Sequence, residues 1–334
     1  MSAPKFDPML WLDDSQILAK QTAPIEYLID GILPVGTVGD IFGSPGAGKT
    51  SLLMSLVVHI AALRTEWFGR KMSTVGPVLM IGGEKSQTSV WQRDFHRALI
   101  GTNITQKELG GRIKIQPTDN SALWGWQRTR WLGTKAYDDV LKMSSHIKPV
   151  LIIIDTLSRG ALGSNGIDIT QQHLLALKLE QLQREASVAA GQDVTILTVS
   201  HTNQVSTKGR LIERLDWTSR SGSSGLPGYL RWMMGVTSVS AGVGCKTCEL
   251  NSKDIDPESK YFAVSVSKAS EMPNPLWRPS YPAIFQMHPG GNITLYSDAD
   301  IAYVEPPTSL NETPAVVYPE SWMINSPGVN DDFY

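Results

Sequence analysis

Cysteine is nearly missing from this chain, with two among 334 residues. That excludes a fold held by a disulfide framework and fits a reducing compartment. Long apolar runs are missing as well: the best, residues 52–63, is interrupted by Ser55 and His59 and falls short of the ~18 residues a membrane span needs. The N-terminus carries Asp7, Asp13 and Asp14 and no apolar signal core, so a cytoplasmic protein with no membrane partner is expected. Neither sign of charge dominates: 30 Lys and Arg stand against 32 Asp and Glu, a formal net charge of -2. The molecule is therefore no polycation that coats nucleic acid with its whole surface, although a local basic patch would be enough to bind it. Lys and Arg stop at Arg278. Beyond it, acids such as Asp298, Glu305, Glu320 and Asp332 and five prolines from Pro306 onward predict an extended or disordered tail over residues 299–334.

What is present suits a globular core: 41% hydrophobic and 19% charged residues, in a chain long enough for one large domain or two small ones. Residues 1–23 are polar with a few large apolar side chains and read as an arm that could contact another subunit. Over residues 24–298 the pattern changes. Short, β-branched apolar runs at 36–42, 77–83, 112–116, 149–155 and 194–200 read as buried strands. Between them, residues 50–63, 86–99 and 170–190 read as helices. Such alternation predicts an α/β fold, a mostly parallel sheet with helices on both faces. Residues 205–228 are rich in Ser, Gly, Lys and Arg and read as a loop. Shorter strands at 229–240, 261–268, 282–287 and 293–296 then suggest antiparallel additions at the C-terminal sheet edge.

Gly43-Ser44-Pro45-Gly46-Ala47-Gly48-Lys49-Thr50, followed by Ser51, satisfies G-x-x-x-x-G-K-[ST] between a predicted strand and a predicted helix. Glycines in that arrangement let successive backbone N–H groups face phosphate oxygens, and the helix N-terminus adds partial positive charge. Lys49 is expected on the β- and γ-phosphates and the Thr50 hydroxyl on Mg²⁺, which makes ATP and Mg²⁺ the expected cofactors. Residues 150–155 form an apolar strand ending in Asp155, the Walker B pattern, whose carboxylate would hold Mg²⁺ through water. Asp155 is followed by Thr156, not by Glu, so Glu84 is the better general base, expected on the strand beside the P-loop strand. His201, at the end of the strand over 194–200, stands where a polar group could sense the γ-phosphate; the plainer reading is a structural His.

Several short matches in the same order resemble one family. They are Ile25-Glu26-Tyr27-Leu28 with Gly36-Thr37-Val38-Gly39, the P-loop, Gly83-Glu84, Asp155-Thr156-Leu157, Ser200-His201, residues 219–224 closing on Leu230-Arg231-Trp232, and Val266-Ser267-Lys268-Ala269. Together they resemble the RecA-like core of the RepA-type hexameric replicative DNA helicases of plasmids and phages. The resemblance covers most of residues 24–290. It implies an ATP hydrolase that forms a homo-oligomeric, hexameric ring and unwinds DNA in replication beside initiator, primase and single-strand-binding proteins. It implies Glu84, Lys49 and His201 acting in cis, with Arg231 as an arginine finger reaching the neighbour's ATP and Lys268 as a weaker alternative. A recombination or annealing ATPase without unwinding, and an ATP-assembled scaffold ring, are the alternatives.

In such a ring the segment after the 194–200 strand would line the central channel. Lys208, Arg210, Arg214 and Arg220 are then the candidates to track single-stranded DNA, with an ordinary solvated loop as the alternative. Trp124, Trp126 and Trp131 interleave with Arg128 and Arg130. Base stacking is one reading; the favoured one is an amphipathic helix packing its indoles on the core or a neighbour. Cys245-Lys246-Thr247-Cys248 has no second pair, and a hairpin loop is favoured over zinc.

Overall fold

The computed structural model describes residues 24–82, 88–116, 122–163, 168–202, 209–222 and 224–297. The arm over 1–23 and the tail over 299–334 lie outside them. The sequence's strand runs condense into one nine-stranded sheet. Its strands, in chain order, are β1 (Val38–Gly43), β2 (Val78–Gly82), β3 (Ile113–Gln116), β4 (Leu151–Asp155), β5 (Thr195–His201), β6 (Trp232–Val239), β7 (Lys260–Ala269), β8 (Ala283–Met287) and β9 (Ile293–Ser297). Across the sheet they run β9-β8-β7-β6-β1-β5-β4-β2-β3. The pairings from β6 through β3 are parallel, and β7, β8 and β9 add on antiparallel. The expected fold class stands.

β6 is the exception among the C-terminal strands. It was expected antiparallel, but residues 209–229 carry the chain back across the sheet, so β6 enters parallel to β1, with Trp232 opposite Gly39 and Val236 opposite Gly43.

Four helices cover the sheet: α1 (Lys49–Ala61), α2 (Thr88–Leu99), α3 (Lys135–Ile147) and α4 (Ile169–Ala190). The alternation of β4 shows how one strand serves both layers. Leu151 and Ile153 face one core with Leu52, Leu56, Trp91 and Trp67, whereas Ile152 and Ile154 face the other with Val140, Leu175, Leu179 and Leu182. A strand buried on both faces needs no polar positions, which is why 150–154 reads as an unbroken apolar run. Helix α1 is apolar almost all round because core encloses it on most sides. Polar residues that take the orphan N–H groups start the helices on the other face: Thr134 accepts from Ala136 at 3.1 Å and Asp168 accepts from Gln171 at 3.1 Å. Helix α3 has no counterpart in the sequence reading, since its buried positions are only Ala136, Tyr137, Val140 and Ser144.

The Trp-rich segment is a hairpin of Trp124–Gln127 and Arg130–Gly133, not a helix. Its period of two points Trp124 and Trp131 into the core at 0% and 2% exposure. Trp131 Nε1 also donates to the Gln171 carbonyl at 3.0 Å. The expected packing of those two indoles is present in a different secondary structure, and buried rings leave no face for bases.

Candidate nucleotide site

Strand β1 runs into the P-loop and α1 leaves it, as the motif requires. Gly43 stands where the loop begins, pressed against β6: a Cβ there would lie 2.1 Å from the Val236 carbonyl oxygen, so no side chain fits while β1 and β6 stay paired. Gly46, at the crest, has φ +76° and open space around it, so its need for glycine is conformational. Gly48 is the N-cap of α1 and supplies no side-chain cap, and the first turn holds no acidic residue. The α1 N-terminus therefore keeps its backbone donors and its positive dipole end for an anion. Lys49, 7% exposed, turns its ammonium back on the loop and donates to the carbonyls of Gly43 at 2.7 Å and Ser44 at 3.0 Å.

The other residues expected here are brought together by strand order. β5 lies between β1 and β4, so His201 sits directly opposite Gly43, and Asp155, 8% exposed, closes the next strand across. The peptide joining Asp155 to Thr156 is cis. β2, which leads toward Glu84, is not the neighbour of the P-loop strand as expected. It pairs with β4, Gly82 opposite Asp155, with two strands, β5 and β4, between it and β1. Glu84 itself lies outside the described residues. Magnesium binds through few protein ligands, keeping waters and phosphate oxygens in its shell. A Thr50 hydroxyl in the first turn of α1 and an Asp155 carboxylate at the end of β4, both at the carboxyl end of the parallel strands, fit that donor chemistry. Two cavities touch the loop motif, one of about 340 Å³ that Thr50 and Ser51 line together with residues of α1, α2 and the β8–β9 hairpin, and one of about 270 Å³ that Gly46 and Ala47 line together with residues of β6 and β7.

Arg231 lies at the opposite end of the same sheet. It stands just before β6 and precedes Val236, the partner of Gly43, by five positions. At ~3.3 Å per strand residue that is roughly 16 Å, farther than its side chain spans. Arg231 is exposed and lines a cavity of about 260 Å³ with Arg184, Glu180 and Glu271. Lys268, near the same end, is engaged locally: its ammonium donates to the carbonyls of Pro227 at 2.6 Å and Gly228 at 3.2 Å and lies over the Trp217 ring. Burial, and then the Arg231 charge, push its pKa below the usual lysine value.

Two of the four cations expected on a DNA path are engaged by partners within the fold. Arg220 is 6% exposed and its Nε donates to Asp40 Oδ2 at 2.7 Å, so a buried carboxylate holds its charge inside the fold. Arg214 donates to the Ser238 carbonyl at 2.9 Å and forms an ion pair with Glu249, its side chain only 14% exposed. Arg210 is exposed and bridges to Glu213 at 2.7 Å, within one short helix start. Lys208 lies outside the described residues. Cys245 and Cys248 lie in a turn-rich segment, as expected, and are joined by a disulfide that the sequence reading did not anticipate. Among the described residues no group of three or more His, Cys, Asp or Glu could hold a metal.

Asp40 is the residue the sequence reading missed. The available signal was an acid in the middle of an otherwise apolar strand, which must find partners or carry a large desolvation cost. Among the described residues no helix is long and apolar enough to cross a membrane. Comparison with curated proteins finds none that matches the chain. The AAA domain family matches residues 2–206, a span that takes in the P-loop, Asp155 and His201. With that span exceeding half of the chain, and with a phosphate-binding loop at the carboxyl end of a parallel strand, the chain belongs to the AAA domain family, a P-loop ATPase that uses ATP and, typically for its class, Mg²⁺.

Proposed function

We propose that this ATPase is a ring-forming, probe-able motor of the RepA-type helicase kind: a homo-oligomer, hexameric, that moves on single-stranded DNA and unwinds duplex in replication. The observation that carries this reading is the separation of Arg231 from the P-loop along one sheet. An exposed guanidinium that cannot reach its own protomer's phosphates is well placed to reach a neighbour's in a head-to-tail ring. There it would stabilise the charge spread over the transferring phosphoryl oxygens, an effect worth ~10³–10⁵ in rate in other P-loop enzymes. Hydrolysis would then depend on assembly.

Within one protomer, Lys49 would turn from the Gly43 and Ser44 carbonyls to the β- and γ-phosphates, which the backbone of residues 43–51 would cradle. Thr50 and Asp155 would hold Mg²⁺, which would supply neutralisation of phosphate charge. Glu84 takes the proton of the attacking water, and His201, level with Gly43, reports the γ-phosphate. Initiator, primase and single-strand-binding proteins are the partners such a motor would need.

The engagement of Arg214 and Arg220 within the fold favours a second reading, an ATP-assembled ring that does not respond to DNA. A RecA-like recombination or annealing ATPase without unwinding lies between the two. Mixing two variants tests the trans site. Lys49→Ala keeps the finger and loses ATP; Arg231→Ala keeps ATP and loses the finger. Each alone should be inactive, and an equal mixture should regain activity, since roughly one interface in four of a random ring pairs an intact loop with an intact finger. A mixture as inactive as its components refutes trans completion. ATP turnover with and without a single-stranded oligonucleotide, beside forked-duplex unwinding, then separates motor, annealing ATPase and scaffold.

A further inference from the structure

Asp40 lies on β1 three residues before Gly43, and its carboxylate is completely buried. It collects three side-chain donors. Thr198 Oγ1 donates to Oδ1 at 2.6 Å, Ser200 Oγ to Oδ2 at 2.5 Å, and Arg220 Nε to Oδ2 at 2.7 Å. The first two donors belong to β5, and Ser200 immediately precedes His201. Arg220 is tied a second time: it forms an antiparallel bridge with Thr202, its guanidinium donates to the Ser221 carbonyl at 2.9 Å, and the Ser221 N–H donates to the His201 carbonyl at 2.7 Å.

A buried ion pair is a poor device for stability alone, because desolvation offsets the attraction and apolar side chains of similar volume serve as well. A junction of directional bonds has another use at this point of the sheet. It joins the strand that carries the P-loop, the strand that ends in His201 and the segment that returns at Arg220. We propose that Asp40 and Arg220 are positioning residues of the phosphate site. Their ion pair fixes the end of β5 against the start of the P-loop, so that His201 is held at a set position beside Gly43.

The proposal rests on the ATPase reading for its effect on turnover, and has a readout independent of it. Ser200→Ala removes one tie and spares the ion pair. Arg220→Lys keeps the charge and loses the fork. Asp40→Asn combined with Arg220→Gln substitutes a neutral hydrogen-bonded pair. Circular dichroism checks folding, the His201 imidazole signals in ¹H–¹⁵N spectra report the ring in nucleotide-free protein, and the ATP Kd and kcat are measured separately. We expect folded proteins with Kd within about twofold of wild type, His201 signals shifted or split, and kcat lowered ~10-fold or more for the two Arg220 variants and by a few-fold for Ser200→Ala, since displacements near 1 Å can cost ~10²-fold. A purely structural pair would lower thermal stability while leaving kcat and the His201 signals as in wild type, and that result overturns the proposal. If the Arg220 variants fail to fold, Asp40→Asn, which keeps an acceptor oxygen and removes the carboxylate charge, decides: unchanged His201 signals refute the proposal. A wild-type protein that binds no ATP would remove the enzymatic reading, whereas the His201 signals would still settle the positioning role.

Discussion

Adding one methyl group at Gly43 should damage this protein more than the same change at Gly46, although both glycines belong to the P-loop. At Gly43 the new Cβ would lie 2.1 Å from the Val236 carbonyl oxygen and 3.1 Å from its carbonyl carbon, both backbone atoms of the paired strand. Reaching the 3.4 Å where ordinary contact begins requires a displacement of more than 1 Å between β1 and β6, in the interior of a nine-stranded sheet. Overpacking of this kind costs ~1–3 kcal/mol and occasionally more. Because backbone cannot rotate away as a side-chain tip does, Gly43→Ala should cost about 3 kcal/mol, the top of that range. At Gly46 nothing stands within 4 Å, and only the left-handed φ of +76° opposes a side chain. Gly46→Ala should therefore cost ~1–2 kcal/mol. Urea unfolding followed by circular dichroism gives both numbers, and nucleotide titration should show weakened binding in Gly43→Ala even where the protein is folded. Equal stability of Gly43→Ala and wild type, or a larger loss in Gly46→Ala, would refute the reasoning.

Other expectations follow from the same contacts. Trp131→Ala should lower unfolding free energy by ~3–5 kcal/mol, the usual cost of truncating a buried aromatic, with no specific loss of single-stranded DNA affinity; the reverse pattern would return the segment to a base-stacking role. Glu84→Gln should bind ATP normally and fail to turn it over, and normal turnover would remove Glu84 as the base. His59, whose ring nitrogen is paired with the Ser55 carbonyl at 2.7 Å, has its pKa lowered chiefly by burial. The unfolded chain, with an imidazole pKa of about 6.5, then binds the proton more readily than the folded one, so this contribution to stability is whole above that pH and declines as pH falls through it. Thermal unfolding between pH 7.5 and 5.5 (about one unit either side of that value) should show a smaller drop for His59→Gln than for wild type, and equal drops would disprove the assignment.

How much of this was legible in the chain depends on how far apart the cooperating residues are. The P-loop and its helix are contiguous, and their chemistry lies in backbone conformations that glycine spacing encodes locally, so the structure puts them where the motif does. The Walker B strand was legible because a strand buried on both faces leaves an unbroken apolar run ending at a single acid. The Trp segment was misread because period-two burial over four residues is too short to separate from a helical start, and the hairpin was decided by its pairing with Ala161–Leu162 and its packing on Tyr137.

Arg220 looked like a channel cation because its neighbours are Ser and Gly, the composition of a loop. Its partner Asp40 is 180 positions away, and no local pattern joins them. The same holds for β6, whose direction depends on where residues 209–229 deliver it. Composition, periodicity and contiguous motifs thus determined the layered α/β class, the phosphate-binding loop and the acid that ends a buried apolar strand, since each rests on interactions within a few residues. Strand order, the pairing of Arg214 with Glu249, the burial of Arg220, and the distance between Arg231 and the P-loop were decided only in three dimensions, because each is a relation between chain segments that the sheet alone brings side by side.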